Sequence, residues 1–389
     1  MSEQRIRDAL QSVSVPEEFE AQRRAWAVVR AAYAEREPAP SHGRRLRLLV
    51  AVAVLAALVA AALSPPGRSV GGWIRDRVAG EETAEPPLAR LPSGGHLLVL
   101  SEQGPWIVRP DGSKRLLGNY DDASFSPNAL FVVATQGRRV VALEPDGDVR
   151  WTVTRPTPVA DARWAPSPGF HVAYREGTAL RVIGGDGEGD RLLAENVAPV
   201  APAWRPGEGR TVLAYASTDG RVRVVGLDGK QIWAVDPGAA PGQLVWSDDA
   251  GLLLVVTSGR RHPVYAAGGR LTGRTLETPE GQDVLDAAFA PGTRAIAFTA
   301  FDADGGGSSI VLGGELLQRG DGRLEDVVFS PNGRWLVSGW PEADQFLFIR
   351  LPGVSAIEAA SDIRREFDPG RVGATTFPRV AEWCCRGPG

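Results

Sequence analysis

The stretch Val328-Phe329-Ser330-Pro331-Asn332-Gly333 places an aromatic residue at the end of a short apolar run and a proline two positions later. The stretch Ser124-Phe125-Ser126-Pro127-Asn128 repeats this arrangement. Between and beyond these two sites an aromatic anchor recurs at a period of about forty residues, and in five of seven cases a proline follows two positions later. The anchors are Phe125, Trp164, Trp204, Trp246, Phe289, Phe329 and Trp383.

The intervals between anchors are 39, 40, 42, 43, 40 and 54 residues. A period of this length, with four short strands per unit, is typical of a β-propeller. Asp-Gly pairs mark the turns, because the second residue of a tight hairpin turn needs a positive φ. They occur at 111–112, 146–147, 186–187, 219–220, 228–229 and 321–322, with Asn-Gly at 332–333.

The second repeat shows the predicted blade most clearly. We expect its four strands at 162–166, 171–174, 180–183 and 191–193. Apolar strands such as 252–256 indicate blades that pack on both faces. We expect each anchor to fill the wedge between neighbouring blades, as a core residue.

The number of blades depends on Trp383. The stretch 378–383 resembles a first strand with no strands after it, and 96–100, 105–108 and 114–117 resemble three strands with no first strand before them. Joined, they form one blade, which would close the ring and remove its exposed edges. We therefore predict an all-β fold, a seven-bladed propeller of four-stranded blades over 92–389, closed by the C-terminal strand. Six blades is the alternative if Trp383 lies in a tail. The long last interval predicts an insertion near 357–373, as a short helix.

An apolar run near the N-terminus predicts one membrane span. Residues 48–63 are all Val, Leu or Ala, and Leu46 with a snorkelling Arg47 extends the run to eighteen. We predict a transmembrane helix at 46–64, with the N-terminus in the cytoplasm because arginines precede the run. The alternatives are a cleaved signal peptide, against which the long preceding region argues, and a buried core helix.

The segment before this run, residues 1–45, is predicted to be a cytoplasmic helical segment. Its apolar stripe of Phe19, Trp26, Val29 and Tyr33 falls on one helical face. So short a segment buries little core by itself, so the stripe either binds a partner or belongs to a folded stub before the anchor. Residues 65–91, rich in Pro and Gly, are predicted to be a linker.

The repeat motifs at 124–128 and 328–333 resemble those of TolB-type, WD40-like bacterial propellers. The stretches from Val140 to Trp151 and from Arg221 to Trp233 are similar to quinoprotein-type repeats, although no cofactor-binding residue is carried over. The TolB-type resemblance implies protein–protein interaction in the cell envelope through one face of the ring, without catalysis. The layout of helical segment, span and external domain also resembles membrane-bound anti-sigma factors, although the zinc motif of that family is absent and His42 is the only candidate ligand before the span.

No residue pattern indicates chemistry. The chain has four histidines, His42, His96, His171 and His262, and none lies in a GxSxG or HExxH motif. The stretch 302–307 opens like a calcium loop, but Gly313 stands where the loop needs a glutamate, so we expect a hairpin tip. The stretch 184–190 is interpreted as an acidic turn. A bridge between the adjacent Cys384 and Cys385 would be strained, because their Cα atoms lie too close. We therefore expect one buried and one idle thiol, with an intermolecular bridge or a redox contact as the alternative. We expect no catalytic, cofactor-binding or metal-binding residues.

The sequence thus favours a single-pass membrane protein whose propeller lies outside the cytoplasm and binds a protein or another envelope ligand. The alternative is a transmembrane regulator whose cytoplasmic helix holds a partner, and a propeller enzyme is the least favoured hypothesis. The balanced net charge of -4 gives no support to a nucleic-acid partner.

Overall fold

The computed structural model of the protein describes residues 88–167, 169–207, 211–278, 280–370 and 376–385. All of them belong to the compact unit Ala84–Gly389. The predicted cytoplasmic segment (1–45), the predicted span (46–64) and all but the last four residues of the predicted linker lie outside the described residues. Within the described ranges, no helix is long and apolar enough to cross a membrane.

In the part of the chain that the structure describes, twenty-eight strands form seven four-stranded antiparallel sheets. We number the blades by their first strand, the one that carries the aromatic anchor. The first three strands of the chain belong to blade 7 and are β1 (His96–Ser101), β2 (Gly104–Val108) and β3 (Lys114–Leu116). Blade 1 consists of β4 (Asp122–Phe125), β5 (Val132–Gln136), β6 (Arg139–Leu143) and β7 (Val149–Thr154). Blade 2 consists of β8 (Val159–Trp164), β9 (His171–Glu176), β10 (Ala179–Gly184) and β11 (Arg191–Ala194).

The remaining blades follow the same order. Blade 3 consists of β12 (Ala203–Trp204), β13 (Val212–Ala216), β14 (Val222–Gly226) and β15 (Gln231–Val235). Blade 4 consists of β16 (Pro241–Trp246), β17 (Leu252–Thr257), β18 (Arg261–Ala266) and β19 (Leu271–Glu277). Blade 5 consists of β20 (Gln282–Phe289), β21 (Ile296–Asp302), β22 (Gly307–Leu312) and β23 (Glu315–Asp321). Blade 6 consists of β24 (Glu325–Phe329), β25 (Trp335–Trp340), β26 (Gln345–Arg350) and β27 (Ile357–Ser361).

The ring closes as predicted. The last strand, β28 (Arg379–Cys384), pairs antiparallel with β1, so that Leu97 lies opposite Trp383. It thereby completes blade 7, whose other three strands come from the beginning of the described chain. The seven-bladed prediction is confirmed, and the six-bladed alternative is wrong, because Trp383 lies in a paired strand and not in a tail.

All seven anchors end a first strand or lie one residue before its end, and each is buried. Each packs against residues of the preceding blade: Trp204, for example, lies in one cluster with Ala173 and Leu180 of blade 2. The first strands of neighbouring blades are also in contact around the whole circle. The predicted wedge role of the anchors is confirmed.

The turn chemistry follows the sequence as well. The second residue of every predicted Asp-Gly or Asn-Gly turn has a positive φ, between 66° for Gly333 and 96° for Gly147. The predicted helix in the last insertion is present as α1 (Ile363–Phe367), and a 3-10 turn, Pro341–Ala343, precedes β26. Phe367 of α1 is fully buried and packs edge-on against Trp106 of blade 7.

The chain enters the ring earlier than the predicted domain boundary. Leu88 and Leu91, which the sequence analysis placed in the linker, are buried in the cluster between blades 6 and 7. The Leu91 N–H donates to the carbonyl of Pro110 at 3.0 Å. These residues therefore pack against the propeller.

Candidate functional site

The first strands of the seven blades are joined by a closed circuit of hydrogen bonds that involve side chains; we call it the central circuit. Five junctions use a polar or charged side chain. Asp286 serves two of them, because its Oδ1 accepts from Gln243 Nε2 (2.5 Å) and its Oδ2 accepts from Val327 N (2.7 Å). In the other three, Val380 N donates to Asp326 Oδ2 (2.7 Å), Phe125 N donates to Glu382 Oε2 (2.9 Å) and Arg163 Nη1 donates to Asp122 Oδ2 (2.7 Å). The other two use an anchor indole: Trp204 Nε1 donates to Arg163 O (2.9 Å) and Trp246 Nε1 to Ala203 O (3.1 Å).

The sequence carries a signal for this circuit that the sequence analysis missed. Three positions before the anchor, four repeats have aspartate and a fifth has glutamine: Asp122, Asp161, Asp286, Asp326 and Gln243. The local backbone explains the position. The pairing register of the first strand shifts near this residue in blades 2, 4, 5 and 6, and Asp161 and Asp326 themselves have positive φ. Such bulges re-aim a side chain out of the regular ladder.

Burial disfavours ionisation of three carboxyl groups of the circuit, those of Asp286, Asp326 and Glu382. Burial raises the pKa of Asp286 and of Glu382. The pKa of Asp326 lies well above its usual range, first because the group is buried and second because Asp286 is nearby. Arg379 acts in the opposite direction on both aspartates. The centre of the ring is therefore a place where carboxyl groups retain protons above their normal titration range.

Hydrogen bonds to neighbouring blades occupy most oxygens of the central circuit. Asp122 Oδ1 is an exception: it is buried and makes no hydrogen bond to the described part of the chain. Among the described residues, no group of three or more His, Cys, Asp or Glu side chains is arranged to hold a metal ion. The arrangement thus links each blade to the next.

The histidines singled out in the sequence are not brought together. His96 begins β1, His171 begins β9 and His262 lies in β18, so the three belong to blades 7, 2 and 4, and His42 lies outside the described residues. His262 is almost fully buried and accepts a hydrogen bond at Nδ1 from Thr257 N at 3.1 Å. Burial lowers the pKa of all three imidazoles.

The other candidate motifs lie in turns. Residues 303–306 connect β21 and β22, and Asp302 Oδ1 accepts from the N–H groups of Asp304 and Gly305, as expected for a hairpin tip. Residues 185–190 connect β10 and β11. The sulfur atoms of the adjacent Cys384 and Cys385 lie against each other. This pair stands at the end of β28, beside the carbonyl oxygens of Ser126 and Pro127.

The ring has two chemically different faces. Face A is formed by the turns that follow the first and third strands of each blade, and face B by the turns that follow the second and fourth strands. Every large apolar side chain that is exposed in the described residues lies at face A. Leu130, Phe170 and Val354 lie in its turns, and the other six occupy the first or second position of a fourth strand: Val149, Leu192, Ile232, Leu271, Leu316 and Ile357.

Face B is polar by comparison. A cavity of about 360 Å³ lies there, between the turn after β11 and the turn after β13. Its lining includes Glu195, Asn196 and Asp219, and the Asp219 carboxylate pairs with Arg223 at 2.6 Å. The helix α1 also belongs to face B, since it follows the fourth strand of blade 6.

Comparison with known proteins identifies the architecture. No protein-family model matches the chain, and no curated protein matches it significantly. Among solved structures, the β-propeller domain of Myceliophteria thermophila Cps50 (Swd1) is similar, with a TM-score of 0.55 and 15% identity, over 67% of this chain and 99% of that chain. Because 1638 chains of solved structures match, the likeness shows the fold and not a function. The chain has the fold of a WD40-like, seven-bladed β-propeller.

Proposed function

We propose that this chain is a single-pass membrane protein whose propeller lies outside the cytoplasm and binds a protein partner through face A, as a TolB-type propeller of a bacterial cell envelope would. The observation that carries the proposal is the segregation of all nine exposed large apolar side chains of the described residues to one face. Scattered apolar residues on a surface need no explanation, but their restriction to one side of a ring does.

The apolar residues of face A are repeated from blade to blade. Six of the seven blades expose one at the start of the fourth strand, and blade 7 has Lys114 and Arg115 there instead. A repeated rim of apolar groups offers a partner many similar contacts, whereas the polar face B offers none of this kind. Protein interfaces combine such apolar groups with a polar surround.

The membrane setting is supported by the sequence alone. The apolar run at 48–63 is long enough to span a bilayer together with Leu46 and Arg47, and the arginines before it favour a cytoplasmic N-terminus. In this orientation the propeller, which follows the run, lies on the opposite side of the membrane.

The test is recovery of partners from intact membranes with four versions of the protein. These are the unchanged full-length chain, a version without residues 1–45, a face A variant and a face B control of unchanged net charge. In the face A variant Phe170, Leu192, Leu271 and Leu316 become serine, and in the control Arg138, Arg260, Glu280 and Asp304 become serine. We expect a partner that is lost only in the face A variant. Equal recovery by all four versions, or recovery of no partner by any of them, would contradict the proposal.

A second candidate function rests on the apolar stripe of residues 1–45. In this function the chain is a transmembrane regulator whose cytoplasmic helix binds a signalling partner, and the propeller controls this binding. The arrangement of helical segment, span and external domain would then be like that of a membrane-bound anti-sigma factor. The same experiment separates the two functions, because this partner would be lost with residues 1–45 and kept by the face A variant. The absence of catalysis, of a cofactor and of a nucleic-acid partner stays a prediction for either function.

A further inference from the structure

One sector of face A combines aromatic rings with exposed acidic groups. At the junction of blades 1 and 2, the rings of Phe131 and Trp164 stack with centroids 6.3 Å apart, and Phe170 lies 6.0 Å from Trp164. Phe170 is 53% exposed, and the neighbouring Leu130 is 55% exposed. We call Leu130, Phe131, Trp164 and Phe170, together with Trp151, the aromatic shelf.

The turn between β10 and β11 is fitted onto this shelf. The indole of Trp151 donates to the carbonyl of Gly185 at 2.8 Å. A Cβ atom on Gly185 would come within 2.6 Å of Trp164 and 2.7 Å of Phe170, so only glycine allows the backbone to lie this close to the rings. The turn is thereby held at the edge of the shelf in a fixed position.

This turn presents negative charge beside the rings. Asp186 and Glu188 are both exposed, and the ion pairs of the described residues near this turn are made by Glu176 and Asp190 instead. Asp186 Oδ1 accepts from the N–H of Glu188 at 3.0 Å, which leaves its other oxygen for a partner. Burial and the charge of Arg191 lower the pKa of His171. The negative charge of Asp186 opposes these two effects and raises the pKa, but by less. By contrast, the nearby Glu144 is paired with Arg150 at 3.0 Å. The shelf therefore has two carboxylates available for a cation supplied by a partner.

We infer that the aromatic shelf binds a segment of the protein partner that presents an arginine next to an apolar side chain. The inference deepens the proposed function and rests on it. A guanidinium stacks on an aromatic face and pairs with a carboxylate at the same time, which an ammonium does less well. The protein already contains one example of the stacking, because the Arg150 guanidinium lies 5.8 Å from the centroid of Phe131. Phe170 and Leu130 provide the surface for the apolar side chain.

The test uses the detergent-solubilised full-length protein and a library of random 12-residue peptides displayed on phage. Peptides are selected on the unchanged protein and counter-selected on a shelf variant that carries Phe170→Ala, Asp186→Asn and Glu188→Gln. We expect the surviving peptides to be enriched in arginine adjacent to Leu, Ile, Val or Pro. The affinity of the best peptide should fall at least fivefold in the shelf variant. The affinity should also fall when the arginine of the peptide is replaced by lysine, and it should fall further when this arginine is replaced by glutamate.

The matched control carries Glu280→Gln and Asp304→Asn, which remove the same number of negative charges from face B, and it should bind the selected peptides with unchanged affinity. A selection without arginine enrichment, or a peptide that binds the shelf variant as tightly as the unchanged protein, overturns the inference. Recovery of the membrane partner by the shelf variant also overturns it, provided that the four-residue face A variant loses this partner. In that case the proposed function stands and only the role of the shelf is wrong.

Discussion

At the scale of single residues, the central circuit shows how a propeller uses buried carboxyl groups. Three of its carboxyl groups, those of Asp286, Asp326 and Glu382, accept a backbone N–H of the next blade. Removing such a group leaves a buried donor without an acceptor, which costs about 1–3 kcal/mol. Keeping the buried carboxyl group ionised away from water also costs free energy, and this is why the pKa of the group rises. The circuit is therefore stabilised by the hydrogen bonds and weakened by the charges.

The replacement Asp326→Asn separates these two effects. An amide oxygen still accepts from Val380 N, but it carries no charge. Because the pKa of Asp326 is raised in the folded protein, the group stabilises the fold below its unfolded-state pKa and this stability is lost as the pH rises through the folded-state pKa. Each unit of pKa elevation corresponds to about 1.4 kcal/mol of lost stability above both pKa values.

We therefore expect the difference in Tm between Asp326→Asn and the unchanged protein to be small near pH 4 and to grow in favour of the variant towards pH 8. Thermal unfolding measured across this range checks the expectation. The control is Asp304→Asn, an exposed aspartate in a turn, which should give no such trend. A Tm difference for Asp326→Asn that does not vary with pH contradicts the assignment of a raised pKa.

The residues of the circuit also show where the sequence was informative. The anchors were recognisable because large aromatic residues at a fixed period have few roles other than core packing. The aspartates three positions earlier were overlooked, because acidic residues in a strand are ordinarily interpreted as solvated. Only the structure reveals that Asp122, Asp286 and Asp326 bond to the neighbouring blade, whereas Asp161 pairs with Arg175 of its own blade.

At the scale of elements, the fourth strands of blades 1 and 3 are each hydrogen-bonded to the next blade through a tryptophan indole. Trp151 donates to Gly185 O, and Trp233 donates to Ala267 O, each at 2.8 Å. In both cases a glycine of the neighbouring turn lies against the indole, Gly187 in the first and Gly269 in the second. These are the tryptophans of the two quinoprotein-like repeats, so that resemblance corresponds to a real contact between blades.

The turn after β10 allows this contact to be measured. Gly187 and Gly189 both have positive φ, but a Cβ atom on Gly187 would come within 2.8 Å of Trp151, whereas one on Gly189 would meet nothing within 4 Å. Alanine at either site incurs a backbone cost of roughly 1–2 kcal/mol. Alanine at 187 must also displace the indole, at a further cost of about 1–3 kcal/mol.

We therefore expect Gly187→Ala to lower the free energy of unfolding by about 1–3 kcal/mol more than Gly189→Ala. Urea denaturation of the two variants gives the comparison directly. Equal losses would show that the indole does not rest on the turn.

The closing strand β28 is a second element whose role is testable. It buries Val380 and Trp383 and covers the edge of β1. Truncation of a single buried tryptophan typically costs about 3–5 kcal/mol, a large part of the total stability of 5–15 kcal/mol that is usual for a domain. Deletion of residues 376–389 should therefore abolish the cooperative unfolding transition.

A permutant provides the matched control for this deletion. Because Cys384 pairs with His96, residues 376–385 can be placed directly before Gly94 and still form a hairpin with β1. We expect circular dichroism and thermal melts to show a cooperative transition for this permutant and none for the deletion. A deletion protein that melts cooperatively at the original Tm would contradict the role assigned to β28.

At the scale of the whole molecule, the sequence predicted the architecture well and the distribution of exposed apolar side chains poorly. The seven blades, their turns and the closure follow from repeated local signals, each of which has a simple physical cause. The segregation of Val149, Leu192 and similar residues to face A depends on which end of a fourth strand each occupies. This becomes apparent only when all blades are aligned in space. The aromatic shelf requires, in addition, the approach of the 184–190 turn to rings that lie far from it in sequence.

The proposed orientation in the membrane gives a prediction for the entire chain. A reporter enzyme that is active only outside the cytoplasm should be active when fused after residue 389 and inactive when fused after residue 45. Replacement of Leu55 and Leu58 by arginine in the apolar run should abolish the activity of the first fusion, since each central arginine opposes insertion by about 2.5–3.5 kcal/mol. Activity of the second fusion instead of the first would reverse the proposed orientation.

The join between β28 and β1 also determines when the protein is able to fold. The ribosome completes β3 about 260 residues before it reaches β28. At roughly 5–20 residues per second, the nascent chain carries the open edge of β1 for about 13–50 s. During that interval Leu97, Leu98 and Val99 form an apolar strand with no partner on one side. Closure of this ring therefore waits until β28 has been synthesised, and the yield of folded protein depends on how well the edge of β1 is shielded until then.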